Sequence, residues 1–538
     1  MSIIAQKGIS KTKESSNHFN GEVNLLKKCV DIDTGICSLL LQIWLSSEKH
    51  TEKLLMRSDV YKATDLLYNC GAVIGDTKIF TAYISNAEKQ LDISYTHNGI
   101  GWSEYEGNRL FKYSNAFPLN SEYVGTLDIK QEGSFEGWKD TVEKYAMSQT
   151  ALQLGIVLGL SAVTTGFLKD ELDGTLLVHL YGASSKGKTT FAMLAVSTAG
   201  NPSQNSKNTL MCDWSDTPNY KISVLANNNG FPIVFDELSK TNQKNLSDFC
   251  YNVANGRDKG RLNSNAERKD VFTWSTTVIS TGESSILAQC NNNSGLLVRV
   301  LEIALDSITE SAHTAEKLKS GIIKNYGFAN VMVAQYLFQN ETLIKDKFFE
   351  WRKKIERDIE IKSSLVKRLS KKLAVIMLTA EISRTVLGLD FDIEGIEKII
   401  IDSVNKQNER NPFDMGENLI QFLLEDIVIH PENYQEYSLD DYTKSYAHNI
   451  TAVIKAIHKK RIDETNVAQT EVIYIPRKFE ELLLKGGFTD INLCLNELKK
   501  RNYLVTDKDH NKIKRTIEGK KIRTYCVRFP TSLITPTF

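Results

Sequence analysis

The sequence lacks any closely spaced pair of cysteines. Its eight cysteines are scattered through 538 residues, and the absence of a C-x-x-C pair excludes a local zinc ribbon and predicts reduced thiols in a cytoplasmic protein. Proline is scarce, at nine residues, and 41% of the residues are hydrophobic and 25% charged. This composition excludes a collagen-like or broadly disordered chain. The length predicts roughly three or four domains.

An excess of charge of either sign is also lacking, because 66 basic residues balance 66 acidic ones. This balance does not exclude nucleic acid as a partner, since affinity for phosphates depends on where the cations cluster. The N-terminal residues contain no apolar stretch of signal-peptide length, which predicts a flexible basic tail over 1–20.

Long hydrophobic runs are lacking except at 151–168, which has the minimum length of a membrane span. Gln153, Ser161 and two threonines interrupt this run, no basic flank orients it, and a strand follows closely. We therefore expect a buried helix that covers a sheet, and no membrane as partner.

Hydrophobic periodicity predicts an α/β fold in several parts. Short apolar strands alternate with helices from about 170 to 305, which favours a parallel sheet covered on both faces. Helical patterns dominate from about 310 to 425, and the last hundred residues are mixed. The predicted units are a tail at 1–20, a mixed α/β N-terminal module at 21–120, a P-loop ATPase core at 121–335, a helical region at 336–425 and a winged helix at 426–538.

The stretch "LYGASSKGKTTFAM" matches G-x-x-x-x-G-K-[ST] over residues 182–189, here named the phosphate loop. Glycines allow the backbone to turn so that its N–H groups face a β-phosphate, a lysine reaches the β/γ oxygens, and a hydroxyl binds Mg²⁺. A strand candidate precedes the loop and a helix candidate follows it, as such a loop requires. The predicted ATP-binding residues are Gly182, Ser185, Gly187, Lys188, Thr189 and Thr190.

Two adjacent acids end the apolar segment "FPIVFDE" about fifty residues later. A buried strand would deliver both carboxylates to the sheet edge where open α/β sheets bind ligands. We expect Asp236 to hold Mg²⁺ together with Thr189, and Glu237 to polarise the attacking water. A kinase does not need such a water-activating acid. The guanine-reading N-K-x-D of GTPases is also lacking, since residues 405–408 read N-K-Q-N. ATP hydrolysis is therefore the favoured reaction.

Two further residues are candidates for catalysis. Thr281 ends the segment "STTVISTGE" near the same sheet edge, where it could orient the lytic water. Arg299 lies within the apolar segment "GLLVRVLEI", where an unpaired arginine would be costly. Either Arg299 pairs inside its own domain, or it projects to a neighbouring subunit's γ-phosphate as an arginine finger. We favour the finger.

These residues carry a family resemblance. In order along the chain they are residues 182–189, Trp214 with Thr217, Phe235–Glu237, Asn255–Gly256, Thr281–Glu283 and Val298–Val300. The pattern resembles an AAA+ ATPase domain of bacteria and their mobile elements, long catalogued without a function. It is similar in layout to the MCM and superfamily 3 replicative helicases, and "LLVRVLEI" resembles the MCM arginine-finger segment. The whole chain resembles the MCM-like replicative helicases of staphylococcal cassette chromosomes and pathogenicity islands.

The resemblance implies a hexameric ring with ATP sites between subunits, single-stranded DNA in the channel, and a DNA-gripping hairpin before the sensor strand. The stretch "NGRDKGRLNSNAERKDVFTW" at 255–274 fits such a hairpin, because cations flank an Asn-Ser-Asn turn. Six copies would offer a staircase of cations to the DNA backbone. A solvated basic hairpin without this role is the alternative. The candidate DNA-binding residues are Arg257, Lys259, Arg261, Arg268 and Lys269.

The C-terminal segment from Arg477 predicts two helices around a Gly-Gly turn and then two strands, with Thr489 as a helix N-cap. This order is that of a winged helix. Residues 499–528 hold eleven Lys or Arg against three acids, a net charge of +8. The wing would contact duplex or origin DNA, unless it only docks on the ring. The candidates are Lys508, Lys512, Lys514, Arg515, Lys520, Lys521 and Arg523.

The sequence thus predicts an ATP-dependent DNA helicase that initiates replication of a mobile genetic element, with ATP and Mg²⁺ as cofactors. Two alternatives stay open. An ATP-gated assembly switch, for regulation or phage defence, would hydrolyse slowly without processive DNA contact. A helicase loader would bind a separate hexamer and unwind little alone.

Overall fold

The computed structural model describes most of the chain. The described residues are 23–46, 48–172, 174–184, 186–241, 245–260, 271–290, 294–305, 308–359, 366–410, 415–436, 450–457, 469–488, 490–507, 510–517 and 520–534. The α/β fold class is confirmed, and all eight cysteines are free thiols.

The N-terminal module is a five-stranded sheet in the order β3-β2-β1-β4-β7 with three short helices. The alternating side chains Leu39, Leu41 and Ile43 of its second strand are buried, as expected for a strand with one face on a core. Its elements are β1 (Val23–Asp31), β2 (Cys37–Trp44), β3 (His50–Met56), α1 (Arg57–Tyr61), α2 (Asp65–Asn69), α3 (Thr77–Glu88), β4 (Ile93–His97), β5 (Ile100–Tyr105), β6 (Asn108–Lys112) and β7 (Ser121–Tyr123).

The buried aromatic side chains of the β5–β6 hairpin belong to the central core and not to the separate core of this sheet. Trp102 and Phe111 are buried in the central core, and the Trp102 indole N–H donates to the carbonyl of Val163 at 2.9 Å. The predicted boundary at 120/121 therefore cuts through a continuous packing unit.

The central sheet is parallel, as predicted, with five strands in the order β13-β8-β12-β11-β9. The strand β9 was not predicted, and the first residues of "LLVRVLEI" form a helical turn, so that strand begins only at Val300. The elements are α4 (Phe135–Tyr145), α5 (Thr150–Phe167), β8 (Leu176–Tyr181), α6 (Lys188–Ser197), β9 (Met211–Asp213), α7 (Pro218–Leu225), β10 (Asn228–Asn229), β11 (Ile233–Asp236), α8 (Leu246–Asn255), β12 (Thr277–Gly282), α9 (Ile286–Gln289), α10 (Ser294–Leu297) and β13 (Val300–Ala304).

The apolar helix α5 is long and apolar enough to cross a membrane by length and composition. It is instead surrounded by protein. It packs against α6, α12 (Ala329–Gln339) and α14 (Val366–Leu387), and nearly all of its residues are buried. The expectation of a buried helix that covers the sheet is met.

The predicted helical region continues the central core. Side chains of α14 share one hydrophobic cluster with α5 and the sheet, and the Thr379 hydroxyl donates to Thr164 at 2.8 Å. Gln407 of α15 bonds the backbone of Leu297, Val300 and Glu302. The helices are α11 (Ala312–Lys324), α12 (Ala329–Gln339), α13 (Glu341–Asp358), α14 (Val366–Leu387) and α15 (Ile393–Arg410).

The C-terminal unit has its own core and begins earlier than predicted. Helix α16 spans the predicted boundary at 425/426 and packs against α18. The two helices, the turn and the wing strands follow the prediction, except that Asp490 is the N-cap, its side chain accepting from the Leu493 N–H at 3.0 Å; Thr489 lies outside the described residues. The elements are α16 (Met415–Ile429), β14 (Tyr434–Glu436), β15 (Ala452–Ile457), β16 (Gln469–Tyr474), α17 (Pro476–Lys485), α18 (Ile491–Lys500), β17 (Leu504–Val505), β18 (Ile513–Ile517) and β19 (Lys520–Pro530).

Candidate functional site

The predicted site residues meet at the carboxyl edge of the central sheet. The phosphate loop follows β8, Asp236 is the last residue of β11 with Glu237 directly after it, and Thr281 is the next-to-last residue of β12. The strand register brings Thr281 beside Leu180 and Ser280 beside Phe235. Parallel strands end at a common edge, so residues separated by about a hundred positions come into hydrogen-bonding distance there.

The phosphate loop is held tightly by its own chain. Gly187 has a φ of 95° and caps α6, a conformation that favours glycine. A Cβ on Gly182 would lie 2.5 Å from the carbonyl oxygen of Leu305. The Lys188 ammonium donates to the carbonyls of Gly182 and Ala183, at 2.8 Å each. The loop therefore places a cation and the N-terminus of a ten-residue helix at one spot, which suits a phosphate.

Asp236 is buried and fully bonded. Its Oδ1 accepts from the Thr281 hydroxyl at 2.5 Å, and its Oδ2 accepts from the Gln204 amide at 2.8 Å. The Thr189 hydroxyl oxygen lies 3.5 Å from the same Oδ2, which is longer than an ordinary hydrogen bond between a hydroxyl and a carboxylate. A carboxylate and a hydroxyl at this separation are oxygen ligands of the kind that Mg²⁺ uses beside substrate phosphates and water. The residues present therefore fit Mg²⁺. The part of the chain that the structure describes holds no cluster of three or more His, Cys, Asp or Glu suited to a metal.

Glu237 adopts a left-handed backbone with φ 68°, which is uncommon for a non-glycine residue. Its N–H donates to the Thr281 hydroxyl oxygen at 3.0 Å, and its Oε1 accepts from Ser239 at 3.0 Å. Thr281 thus fixes both acids. Its hydrogen goes to Asp236, which leaves one lone pair as an acceptor for a water's hydrogen, so the water-orienting role of Thr281 stays a prediction.

A cavity of about 500 Å³ opens beside Lys188, Thr189 and Glu237. One wall is the phosphate loop with Glu237, and the other is the first turns of α11, including Ala312, Ala315 and Glu316. This volume is in the range of sites for small organic ligands. The wall from α11 was not predicted, since the helical pattern of residues 312–324 does not indicate which element it faces.

A buried hydrogen-bond chain fixes the end of β12 next to Thr281. The Trp214 indole N–H donates to Ser280 at 3.0 Å, Ser280 bonds His179 Nδ1 at 2.8 Å, and His179 Nε2 bonds the Ser284 carbonyl at 2.9 Å. Burial lowers the pKa of His179 to about 4, so the ring is neutral near pH 7. A neutral ring suits this chain, with Nε2 protonated toward Ser284 and Nδ1 accepting from Ser280.

Gln204 is a site residue that sequence reasoning did not find. It lies in the loop between α6 and β9, which is tied to Asp128 through Asn201 and Ser206. The polar stretch "NPSQNSKNT" contains no spacing that indicates contact with a strand thirty residues later. Only the tertiary path of the loop brings the amide to Asp236.

Arg299 lies away from this cavity. It is half-buried just before β13, its Nε donates to Asn255 at 3.0 Å, an Nη donates to the Gly295 carbonyl at 2.8 Å, and the guanidinium lies 5.1 Å from the Tyr251 ring centre. Val300 pairs with Leu177 at the start of β8, and Ala304 with Tyr181 at its end. Arg299 is therefore at the amino-terminal ends of the strands, and the phosphate loop of the same chain is at their carboxyl-terminal ends.

The two ends of the stretch that was predicted to be a hairpin lie side by side. Arg257 and Thr273 form an antiparallel bridge, and the Asp258 N–H donates to the Phe272 carbonyl at 3.0 Å. Arg257 and Lys259 are exposed, and Lys259 is 3.7 Å from Asp248. Arg261, Arg268 and Lys269 lie outside the described residues, as does Ser185 of the phosphate loop.

The wing separates the predicted cations into two sets. Arg515 and Arg528 both donate to the buried Glu471, at 2.9 and 3.0 Å, and lower its pKa although burial would raise it. Lys512 contacts Glu480 at 3.3 Å and lies over the Tyr525 ring. Arg515 therefore has a buried partner inside the domain, whereas the Lys512–Glu480 pair is partly exposed, and DNA binding by either cation stays a prediction.

The other wing cations face solvent. Lys514, Lys521 and Arg523 are exposed, and Lys514 is directly opposite Arg523 across the β18–β19 pair. Like charges in this position destabilise a sheet unless an anion lies over them. Lys508 lies outside the described residues, and the side chain of Lys520 is likewise not described.

Comparisons with known proteins agree with this architecture. A family model described as "Domain of unknown function (DUF927)" matches residues 3–272, half of the chain. A second model, described as "Cch helix turn helix domain", matches residues 414–532. None of the curated proteins matches the sequence.

A solved structure described as "SCCmec type IV Cch - active helicase" is similar over 95% of this chain and 94% of that chain. The TM-score is 0.76 and the sequence identity 25%. This likeness and the helix-turn-helix match support a helicase role and DNA binding, and they confirm the resemblance to helicases of staphylococcal cassette chromosomes. The chain therefore belongs to the DUF927 family, with a C-terminal domain that matches the helix-turn-helix domain of Cch.

Proposed function

We propose that the protein is an ATP-driven DNA helicase that starts replication of a mobile genetic element and works as a hexameric ring. One observation carries the proposal. The phosphate loop, including Thr189 beside Asp236, and the Glu237 carboxylate line one cavity of about 500 Å³, in a chain similar along 95% of its length to a solved structure described as an active helicase.

The chain's own residues have distinct roles in this proposal. Lys188 would exchange its bonds to the loop carbonyls for the β/γ oxygens of ATP, and Thr189 with Asp236 would hold Mg²⁺. Mg²⁺ supplies neutralisation of phosphate charge when bound. Glu237, aimed into the cavity by its left-handed backbone, would orient the attacking water and accept its proton.

The position of Arg299 supports an ATP site shared between subunits. Arg299 comes six residues before Leu305, which is level with Gly182 of its own phosphate loop, a separation of about 20 Å at roughly 3.3 Å per residue. Arg299 lies at the amino-terminal ends of the strands, whereas the phosphate loop lies at their carboxyl-terminal ends. Arg299 therefore cannot reach a nucleotide bound by its own subunit. A neighbouring copy of the chain in a ring can bring its nucleotide to this edge.

The contact between Arg299 and Asn255 supports coupling to DNA. Asn255 ends α8 directly before the hairpin stem, and its Oδ1 accepts from Arg299 at 3.0 Å. If Arg299 moved toward the neighbour's γ-phosphate, it would pull on Asn255 or release it, and the base of the hairpin would move with Asn255. Hydrolysis in one subunit would thereby shift a DNA-gripping hairpin in the next.

Strand displacement on a forked DNA with ATP tests the proposal. Wild-type protein should separate the strands, and Lys188→Ala should not, because the phosphate loop loses its cation. DNA should also stimulate the ATPase, and Arg257→Ala with Lys259→Ala should reduce that stimulation. An ATPase rate that neither DNA nor the two hairpin substitutions change would favour the assembly switch. Strand separation that requires a separate hexamer would favour the loader.

The exposed wing cations give a separate prediction for duplex binding. Lys514→Ala or Arg523→Ala should weaken duplex binding and lower the slope of log affinity against log salt by about 0.9 for each lost phosphate contact. Thermal stability should stay the same or rise, because a like-charge pair is relieved. Fluorescence anisotropy over a KCl series and thermal melting measure the two effects.

Arg515→Ala is the matched control for this experiment. It should lower stability by about 1–3 kcal/mol, because Glu471 loses one of two partners in a buried site. An equal loss of salt slope in Arg515→Ala and Lys514→Ala would contradict the division of the wing into structural and DNA-facing cations.

A further inference from the structure

We propose that Phe272 is a stacking platform for a base of single-stranded DNA, with Arg257 and Lys259 beside it to hold the phosphates. The inference rests on the proposed function, because it assigns a contact of the strand that the ring would grip.

The backbone of Phe272 is fixed at the hairpin stem. Its carbonyl accepts from Asp258, and its neighbour Thr273 bridges Arg257 and accepts at its carbonyl from the Asn227 N–H at 2.9 Å. Two residues on, Trp274 is buried, and its indole N–H donates to the Val253 carbonyl at 3.1 Å. The stem thus anchors one aromatic ring in the core and presents the next toward solvent.

Phe272 is exposed in a way that protein packing does not explain. Its exposed fraction is 45%, and in the described part of the chain no other aromatic ring pairs with it. Phe338 and Phe349 are similarly exposed, at 38% and 39%, but they pack against the rings of Phe117 and Phe348. A partly open ring in a fixed position has a face available for a flat partner.

The surrounding charges identify the partner. Arg257 is exposed, and Lys259 is 56% exposed and lies 3.7 Å from Asp248, whose side chain is 63% exposed. Surface ion pairs of this kind stabilise little, so an external anion can compete for Lys259. The stem register sets Asp258 opposite Phe272, with the exposed Arg257 and Lys259 on either side of Asp258 in the chain. An open aromatic ring with two cations on the adjoining stem residues fits a chain that alternates phosphates with flat bases. In a duplex the bases are already stacked on one another, so the ring selects a single strand.

Binding of labelled oligo-dT to the full-length protein tests the inference, measured by anisotropy over a KCl series. Phe272→Ala should weaken binding about 5- to 150-fold, the range for loss of one stacked base, and leave the salt slope unchanged. Lys259→Ala should instead lower the slope by about 0.7. Phe272→Trp should restore the affinity, and its added indole fluorescence should be quenched by oligo-dT. Phe349→Ala is the matched control and should bind as wild type.

An abasic oligomer of the same length separates stacking from a folding defect. Wild type and Phe272→Ala should bind it equally, because no base is present to stack. Equal binding of oligo-dT by both proteins, or an equal loss on the abasic strand, would overturn the inference. Failure of wild-type protein to bind any single strand would instead contradict the proposed function.

Discussion

Replacing Glu237 with glutamine is expected to lower the rate of ATP hydrolysis by about 10²–10⁴-fold. Glutamine keeps the size of the side chain and can still accept a hydrogen bond from Ser239, but it cannot take a proton from water. ATP binding should be retained, because the phosphate loop and Asp236 are untouched. Steady-state ATPase rates and titration with a fluorescent ATP analogue measure the two properties.

Glu283→Gln provides the control for this experiment. Glu283 directly follows the end of β12, two residues after Thr281, and is exposed to solvent. It should leave hydrolysis within a few-fold of wild type. A Glu237→Gln variant that hydrolyses ATP as fast as the control would remove Glu237 from the reaction.

Replacing Arg299 with alanine is expected to lower hydrolysis by about 10³–10⁵-fold, the range for loss of an arginine finger. Arg299→Lys should not restore the rate, because an ammonium lacks the planar fork that a guanidinium offers to phosphate. ATP binding by the variant's own phosphate loop should be retained, since Arg299 lies at the opposite sheet edge. The same ATPase and nucleotide titrations measure these effects.

Arg352→Ala is the control for loss of an arginine, because Arg352 bonds Glu356 within α13. It should hydrolyse ATP at the wild-type rate. If Arg299→Ala loses only the little activity expected from a structural contact with Asn255, the finger role is wrong.

The residues of the site that follow one another closely were predictable from sequence. A glycine-rich turn between a strand and a helix, and two acids after an apolar strand, are local patterns that fix their own geometry. The structure places Lys188, Thr189, Asp236 and Glu237 at one edge as these patterns indicate. The parallel sheet and the two-helix order before the wing were predictable for the same reason.

Contacts between distant segments were not predictable. Gln204 reaches Asp236 from a polar loop, and Arg299 meets Asn255 across 44 positions. Arg515 and Arg528 both contact Glu471, which is distant from them in the sequence. A count of basic residues cannot show this contact, and it therefore predicted Arg515 to be a DNA-binding residue. Charge composition does not reveal which cations already have a buried partner.

Domain boundaries were misplaced where an element packs outside its local unit. The β5–β6 hairpin follows the N-terminal strands in sequence, yet Trp102 joins the central core. Helix α14 is buried beside α5, although its pattern alone indicates only a helix. The choice of packing partner is a tertiary property that periodicity does not record.

The central claim is that each ATP is held by one subunit and attacked with help from the next, and mixed rings test it most directly. Lys188→Ala and Arg299→Ala subunits are each expected to be inactive alone. Combined at equal amounts, with energy transfer between labelled subunits showing that mixed rings form, they should regain about a quarter of wild-type ATPase, because about one interface in four unites an intact loop with an intact arginine. Mixed rings that stay inactive at every ratio would contradict the shared site.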